Sequence, residues 1–217
     1  MPALETIVLL SGGIESTTLL HTESTAAPGS VRALTVRANL LSEPQQMHFA
    51  KMNAFVRGVP HDVYDMRGIH DLMSIFYPIQ WTAVDEHDGP CPEELSALGV
   101  AISGATYFAQ MAGAKRVVVG LTKEQERKGT RSFFGQIGMV LSLYDDAAPQ
   151  VSVEAPYLGM TKAEVVKSGL DAGMDYSQTW SCYYAHAEHC GVCRGCINRK
   201  DAFKGVGQPD PTTYLTP

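Results

Sequence analysis

Residues 6–17 read TIVLLSGGIEST, and this stretch decides the fold. The run from Thr6 to Leu10 is short and apolar, which fits a strand buried on both faces, as in parallel sheets. Ser11-Gly12-Gly13 ends it in a tight turn, and Ser16 to His21 supply the first turns of a helix. A strand that passes through such a turn into a helix places the turn at the carboxyl end of a sheet, where open α/β folds bind ligands. Two glycines let the backbone approach an anion closely. The amides of the loop and of the first helical turn, with the hydroxyls of Ser11, Ser16 and Thr17, then suit a pyrophosphate. The pattern differs from the Gly-x-x-x-x-Gly-Lys-Ser/Thr loop of phosphoryl transfer. The competing reading of Ser-Gly-Gly is a plain strand-to-helix turn.

The same alternation continues outward from this stretch. Strands are expected at residues 31–36 (VRALTV) and 59–64 (VPHDVY), with a helix between them over 44–56 that stops at Gly58. A buried helix rich in small residues fits 95–112 and ends at Gly113, and the strand 115–120 (KRVVVG) follows it. A polar, basic loop leads to a helix around 133–144, and the last strand is expected at 151–155. Thr161 is placed to cap a helix over 162–168, with Glu164 at the capping-box position. Alternating strands and helices predict an α/β fold of Rossmann-like type, a parallel sheet with helices on both faces. Residues 85–92 (DEHDGPCP) are the clearest loop, and Cys91 stands alone there with no base assigned to it.

Composition bounds what such a domain does. The chain has 217 residues, enough for one α/β domain without disulfides, and 45% of them are hydrophobic, so disorder is excluded. A net charge of −6 argues against nonspecific binding to nucleic acid or anionic membrane, and no nucleic-acid partner is expected. No apolar run is long enough to span a bilayer, and the first residues lack the features of a secretory signal. A cytoplasmic location is the expectation.

A second motif lies near the C-terminus. Cys182, Cys190, Cys193 and Cys196 place four soft ligands within one short loop. In a reducing compartment this density suits a metal rather than disulfides. Four thiolates around tetrahedral zinc leave no open position for water, so the site is expected to be structural and to fold its own loop. A redox pair at Cys190 and Cys193 and an iron–sulfur cluster are the alternatives. His186 and His189 lie inside the loop, where either could replace one cysteine as a ligand, but they are expected on the solvent side. Arg194, Arg199 and Lys200 are expected to offset the thiolate charge.

Taken together these motifs resemble the QueC family of the PP-loop ATP pyrophosphatase superfamily. Residues 7–17 (IVLLSGGIEST) are similar to that superfamily's Ser-Gly-Gly-x-Asp-Ser loop. Residues 161–166 (TKAEVV), 175–177 (DYS) and 179–183 (TWSCY) resemble QueC, as do Cys190, Cys193, Cys196, Arg199 and Ala202-Phe203. The resemblance implies an adenine nucleotide alpha hydrolase fold, with an ATP-binding part over 1–160 and a helix plus four-cysteine zinc region over 161–217 packed on the same domain. It implies an ATP-dependent ligase of queuosine biosynthesis that converts 7-carboxy-7-deazaguanine with ammonia to an amide and then to 7-cyano-7-deazaguanine, releasing AMP and pyrophosphate. Ser11, Gly12, Gly13, Ile14, Glu15, Ser16, Thr17 and Gly120 would hold the nucleotide with its Mg2+, and Ser16 and Lys162 would be catalytic. A homodimer is the family's tendency. For Lys162 the competing reading is an exposed lysine at a helix start.

The chain departs from the family at four places. Glu15 stands where the loop has Asp, and residues 36–40 (VRANL) replace a Tyr-Gly-Gln segment. A Val-Pro-x-Arg-Asn segment is not evident near 91–98, and residues 122–134 (TKEQERKGTRSFF) replace a Tyr-Pro-Asp-Cys stretch. Two alternatives follow: a repurposed relative that joins the activated acid to an amine of another molecule, such as a protein met by the basic 123–131 loop, and a noncatalytic zinc-containing module. Sulfur transfer to RNA ranks below both, since only Cys91 lies outside the zinc set.

Overall fold

The computed structural model describes residues 2–38, 40–68, 92–126, 128–143 and 150–215. In chain order the elements are β1 (Thr6–Leu9), α1 (Ile14–Ala26), β2 (Val31–Arg37), α2 (Glu43–Val56), β3 (His61–Asp65) and α3 (Pro92–Ala112). They continue with β4 (Arg116–Val119), α4 (Thr130–Ser142), β5 (Ser152–Glu154), α5 (Lys162–Asp171) and α6 (Arg194–Gly205). Short 3-10 turns lie at Lys123–Gln125 and Tyr176–Gln178.

All strand pairs are parallel, in the order β3-β2-β1-β4-β5. The order runs outward from β1 in one direction and then restarts beside it at β4. The loops leaving β1 and β4 therefore diverge to opposite faces and open a crevice between them at the carboxyl ends.

The continuous apolar runs of β1 and β4 resolve into two faces. Val8, Leu10 and Val118 pack with Ile14, Leu19 and Leu20 of α1, Ala50 and Ala54 of α2, Val165 and Val166 of α5, and Ala202 and Phe203 of α6. Ile7, Val117 and Val119 point the other way, against Ile102, Ala105 and Ala109 of α3 and Phe134 of α4. Both faces are covered, as an all-parallel sheet requires. The C-terminal helices α5 and α6 share the α1 side of this core.

Two boundaries differ from the sequence expectation for local reasons. The third strand starts at His61 rather than 59, because Pro60 has no N–H to give the ladder and serves only through its carbonyl, which accepts from the Ala33 amide at 2.8 Å. The polar stretch after β4 is partly ordered into the turn Lys123–Gln125, capped reciprocally by Thr122 and Gln125, and α4 begins at Thr130.

The expected cap of α5 is present. Glu164 N donates to Thr161 Oγ1 at 3.2 Å, and Thr161 N donates back to Glu164 Oε2 at 2.7 Å. That second bond holds the Glu164 carboxyl below the usual carboxylate range. The cap fixes the first turn of α5, which carries Lys162. Replacing Thr161 with Ala is expected to lower Tm by about 2–4 °C in the metal-loaded protein. Thermal unfolding followed by circular dichroism checks this, and an unchanged Tm would mean the cap contributes nothing.

Candidate active site and metal centre

The loop after β1 is held in shape by its own hydroxyls. Ser11 N donates to Ser16 Oγ at 3.1 Å, the two serine hydroxyls lie 3.0 Å apart, and Ser16 Oγ reaches Gly13 O at 3.4 Å. Ser16 and Thr17 are buried, and Thr17 Oγ1 has no hydrogen-bond partner among the described residues. Ile14 is fully buried in the core beneath α1, so only its backbone is left to meet a ligand.

Glycine is required at two points for different reasons. Gly12 has φ of 76°, and a Cβ on it would stand 2.6 Å from Gln46 O and 2.8 Å from Ala50 N, inside the backbone of α2. Gly120, at the end of β4, lies across the crevice. A Cβ there would meet Glu15 C and Ser16 N at 2.9 Å, so a side chain would push the first amides of α1 out of place. Gly120 thus joins Ser11, Gly12, Gly13, Glu15, Ser16 and Thr17 at one locus.

Lys162 is brought to the same locus from the far end of the chain. Its Nζ lies 2.7 Å from Glu15 Oε1, with the two side chains only 21% and 14% exposed. It is therefore not a free surface lysine. The Lys162 amide also donates to Glu124 Oε1 at 3.2 Å, and Lys123 N donates to Met160 O at 2.8 Å, so the turn after β4 is tied to the start of α5. At the end of β2, in one of the departing segments, Arg37 Nε is bonded to Glu43 Oε1 at 2.8 Å.

The four cysteines converge. Their sulfurs all lie within 4.8 Å of one another, and Cys182, Cys193 and Cys196 are buried. The closest sulfur pairs are 3.5 Å (Cys193–Cys196), 3.9 Å (Cys182–Cys193) and 3.9 Å (Cys190–Cys196). A tetrahedral ion with metal–sulfur bonds of about 2.3 Å sets its sulfurs about 3.8 Å apart, so the cluster fits one metal ion. Amides also point at the sulfurs: Cys190 N and Tyr184 N donate to Cys182 Sγ at 3.4 and 3.5 Å, and Cys193 N to Cys190 Sγ at 3.3 Å. Such donors favour thiolates. Burial pushes the Cys182 thiol up to about 11, while the adjacent Cys196 sulfur draws Cys193 down to about 5.

Two expectations about the surrounding residues are corrected. His189 is not on the solvent side: it is 4% exposed, its ring lies 4.1 Å from that of Trp180, and its Nε2 accepts from the Ser181 amide at 3.0 Å. Burial, and then the nearby Arg199 charge, lower its pKa to about 4, so it stays neutral and acts as an acceptor. Arg199 does not neutralise the thiolates. It is fully buried and donates to Asp210 Oδ1 at 3.0 Å, Thr179 Oγ1 at 2.7 Å and Tyr176 O at 2.8 Å. Lys200 donates to Gly191 O at 2.9 Å and lies over the Tyr214 ring. His186 is exposed, as expected.

The metal loop and the loop after β1 touch. Trp180 N donates to Gly12 O at 2.8 Å, and the Trp180 ring stacks on Phe49 of α2 at 5.8 Å. Asn53 of α2 donates to Gln178 O at 2.7 Å. Sequence reading missed Phe49, Asn53 and the role of Trp180, and only the Thr-Trp-Ser-Cys resemblance hinted that the residues before Cys182 matter.

The family model described as "Queuosine biosynthesis protein QueC" matches residues 5–207. The chain belongs to the QueC family. It is 28% identical to the 7-cyano-7-deazaguanine synthase of Marinobacter nauticus over 96% of both chains. It is 31% identical to that of Rhizobium johnstonii, over 97% of this chain and 92% of the relative. Among solved structures it is similar to the U34-tRNA thiolase NcsA from Methanococcus maripaludis with its [4Fe-4S] cluster, at a TM-score of 0.50 and 12% identity, covering 93% of this chain and 66% of that one. That likeness is one of fold alone. Among the described residues no helix is long and apolar enough to cross a membrane. Cys91 and its loop at 85–91 lie outside the described residues.

The sulfur geometry leads to a direct expectation for the tail. The purified chain should carry about one metal ion, and Cys196→Ser should reduce this to near none by elemental analysis. Full metal retention in that variant would mean the cluster is not the ligand set.

Proposed function

We propose that the protein is an ATP-dependent 7-cyano-7-deazaguanine synthase that joins nitrogen to carbon through adenylated intermediates. The observation that carries this reading is the convergence of the glycine loop, Gly120 and Lys162 at one locus, in a chain of the QueC family. In this reading residues 1–160 form the ATP-binding part and 161–217 the tail that completes it.

The chemistry explains why such a site is needed. A carboxylate is a poor electrophile. An oxygen of 7-carboxy-7-deazaguanine attacks the α-phosphorus of one ATP, and the bond to pyrophosphate breaks. Ammonia adds to the acyl carbon, AMP leaves and a proton is lost, giving the amide. The amide oxygen then attacks a second ATP, pyrophosphate leaves again, and loss of AMP and of both nitrogen-bound protons yields the nitrile. Each adenylation expels a highly charged pyrophosphate, so the protein's task is to hold anionic oxygens with donors already in place.

The residues fit that task. The amides of Gly12, Gly13, Ile14, Glu15 and Ser16 lie at the start of α1, where backbone donors and the helix dipole favour a phosphate. Ser11 and Ser16 fix the loop, and Thr17 Oγ1 is a buried hydroxyl without a hydrogen-bond partner among the described residues. Lys162 supplies the cation. Glu15 compensates for its own departure from Asp: its extra methylene reaches Lys162 at 2.7 Å and holds the ammonium at the mouth of the loop. Magnesium would enter on the phosphates of ATP.

Zinc is the favoured occupant of the cysteine cluster. A single ion suits four sulfurs that all lie within 4.8 Å of one another, with the nearest pairs at 3.5–3.9 Å, whereas an iron–sulfur cluster interposes several iron atoms and spreads its ligands. Cys182, Cys190, Cys193 and Cys196 would hold it with no open position, so it supplies folding rather than reaction chemistry. Ammonia is favoured over a protein amine as acceptor, because the relatives reported above carry the synthase name. Soluble small-molecule substrates and a cytoplasmic setting accord with this role.

Incubation of the purified chain with 7-carboxy-7-deazaguanine, ATP, Mg2+ and ammonium should yield AMP and pyrophosphate only when the acid is present. Lys162→Ala should lower kcat/KM by about 10²-fold, the effect of removing one charge-stabilising donor. Chromatographic assay of AMP checks both. Acid-independent or absent AMP formation would overturn the reading.

A further inference from the structure

We propose that residues 176–182 form a strap through which the occupied metal centre holds the glycine loop in its working shape, with Trp180 as the positioning residue. The proposal rests on the reading that this loop binds ATP. It concerns what keeps the loop in place, not what the loop does.

The strap can be followed atom by atom. It is anchored at one end where Tyr176 Oη meets Thr18 Oγ1 of α1 at 2.7 Å. It then crosses α2, where Asn53 Nδ2 donates to Gln178 O at 2.7 Å. At Trp180 its backbone N–H donates to Gly12 O at 2.8 Å, and Trp180 O lies close to Gly13, at 3.6 Å from where a Cβ would stand. Gly12 is thereby fixed from two sides: α2 packs against its Cα, and the strap holds its carbonyl. Turning that peptide would re-aim the amide of Gly13, which donates to Ser11 Oγ at 3.4 Å and so helps to set the shape of the loop.

Trp180 owes its position to the metal loop. Its ring is held between Phe49 at 5.8 Å and His189 at 4.1 Å. His189 is adjacent to the ligand Cys190, and it also accepts the Ser181 amide at 3.0 Å. Two residues after Trp180 the strap ends on the ligand Cys182. From the other side, Arg199 of α6, one turn beyond the ligand Cys196, donates to Thr179 Oγ1 and Tyr176 O at 2.7 and 2.8 Å. Both ends of the loop 182–196 are thus bound to the strap.

Without an ion this arrangement lacks its central link. The cluster then consists either of crowded thiols that bond weakly or of thiolates that repel one another, with sulfurs as close as 3.5 Å. The loop 183–189 is largely exposed apart from His189 and buries little that would replace the metal. The α/β core does not depend on it, because α5 and α6 pack on α1 through Val165, Val166, Ala202 and Phe203. Metal loss should therefore loosen the strap and the Gly12 carbonyl while leaving the sheet folded.

Trp180 reports on this directly. The chain has two tryptophans, so Trp81→Phe leaves Trp180 as the single emitter. Its indole N–H is buried without a hydrogen-bond partner among the described residues, a shielded setting whose loss shifts emission to the red. The full chain carrying Trp81→Phe is stripped of metal by chelation under reducing conditions and then reloaded with Zn2+. Trp180 emission, far-UV circular dichroism and ATP affinity by calorimetry are read at each stage. The expected result is a red shift with the circular dichroism retained and ATP binding about tenfold weaker, within the range typical of coupled sites, all restored by Zn2+.

Asn53→Ala, which removes the strap's hydrogen bond to α2 without touching the ligands, decides the case if stripping unfolds the chain. It should keep full metal content and still weaken ATP binding several-fold. Unchanged ATP affinity in the folded, metal-free chain, or in metal-loaded Asn53→Ala, overturns the strap. Failure of the metal-loaded parent to bind ATP overturns the reading of the loop instead.

Discussion

The structure depends on one backbone turn, at Gly12. The chain leaves β1 at the centre of a parallel sheet and must enter α1 within a few residues, with α2 pressing on the turn from one side. Only a residue without Cβ and with positive φ passes through that gap. Once it does, α1 begins at Ile14, beside the crevice where the strand order reverses. Everything that gives the site its character is then added around that turn. Gly120 keeps the opposite wall clear, Glu15 and Lys162 set a charge at the mouth, and Trp180 secures the carbonyl behind it.

The contributors to this locus come from four separate stretches of chain. The sheet brings β1 and β4 side by side, the capping box of α5 aims Lys162, and the metal loop delivers Trp180. Burial makes these links meaningful. An exposed lysine–carboxylate pair contributes little, but Glu15 and Lys162 are mostly shielded, so their pairing holds the Lys162 ammonium beside the first turn of α1. The same holds for Arg199, whose full burial is sustained only because Asp210, Thr179 and Tyr176 together satisfy it.

Much of this was legible in the sequence where the cause is local. The glycine turn follows an unbroken apolar strand, the Thr161–Glu164 cap is a four-residue pattern, and the metal site announces itself because four thiolates must sit close together in space and do so here in sequence. What was not legible is set by contacts between distant segments. Nothing near Glu15 indicates that Lys162 is its partner, and the strand order depends on a crossover from β3 to β4 that periodicity does not encode. Trp180 acts through its backbone N–H, which leaves no trace in residue identity. His189 was misread because a histidine in a polar loop suggests solvent, while its burial follows from Trp180 and Tyr214 closing around it.

The central claim is that the loop and Lys162 activate a carboxylate by adenylation. Because that step is reversible before ammonia is added, exchange of labelled pyrophosphate into ATP isolates it from all later chemistry. The expected result is exchange in the absence of ammonia that requires 7-carboxy-7-deazaguanine. Exchange without the acid, or none with it in a metal-loaded chain that binds ATP, would contradict it.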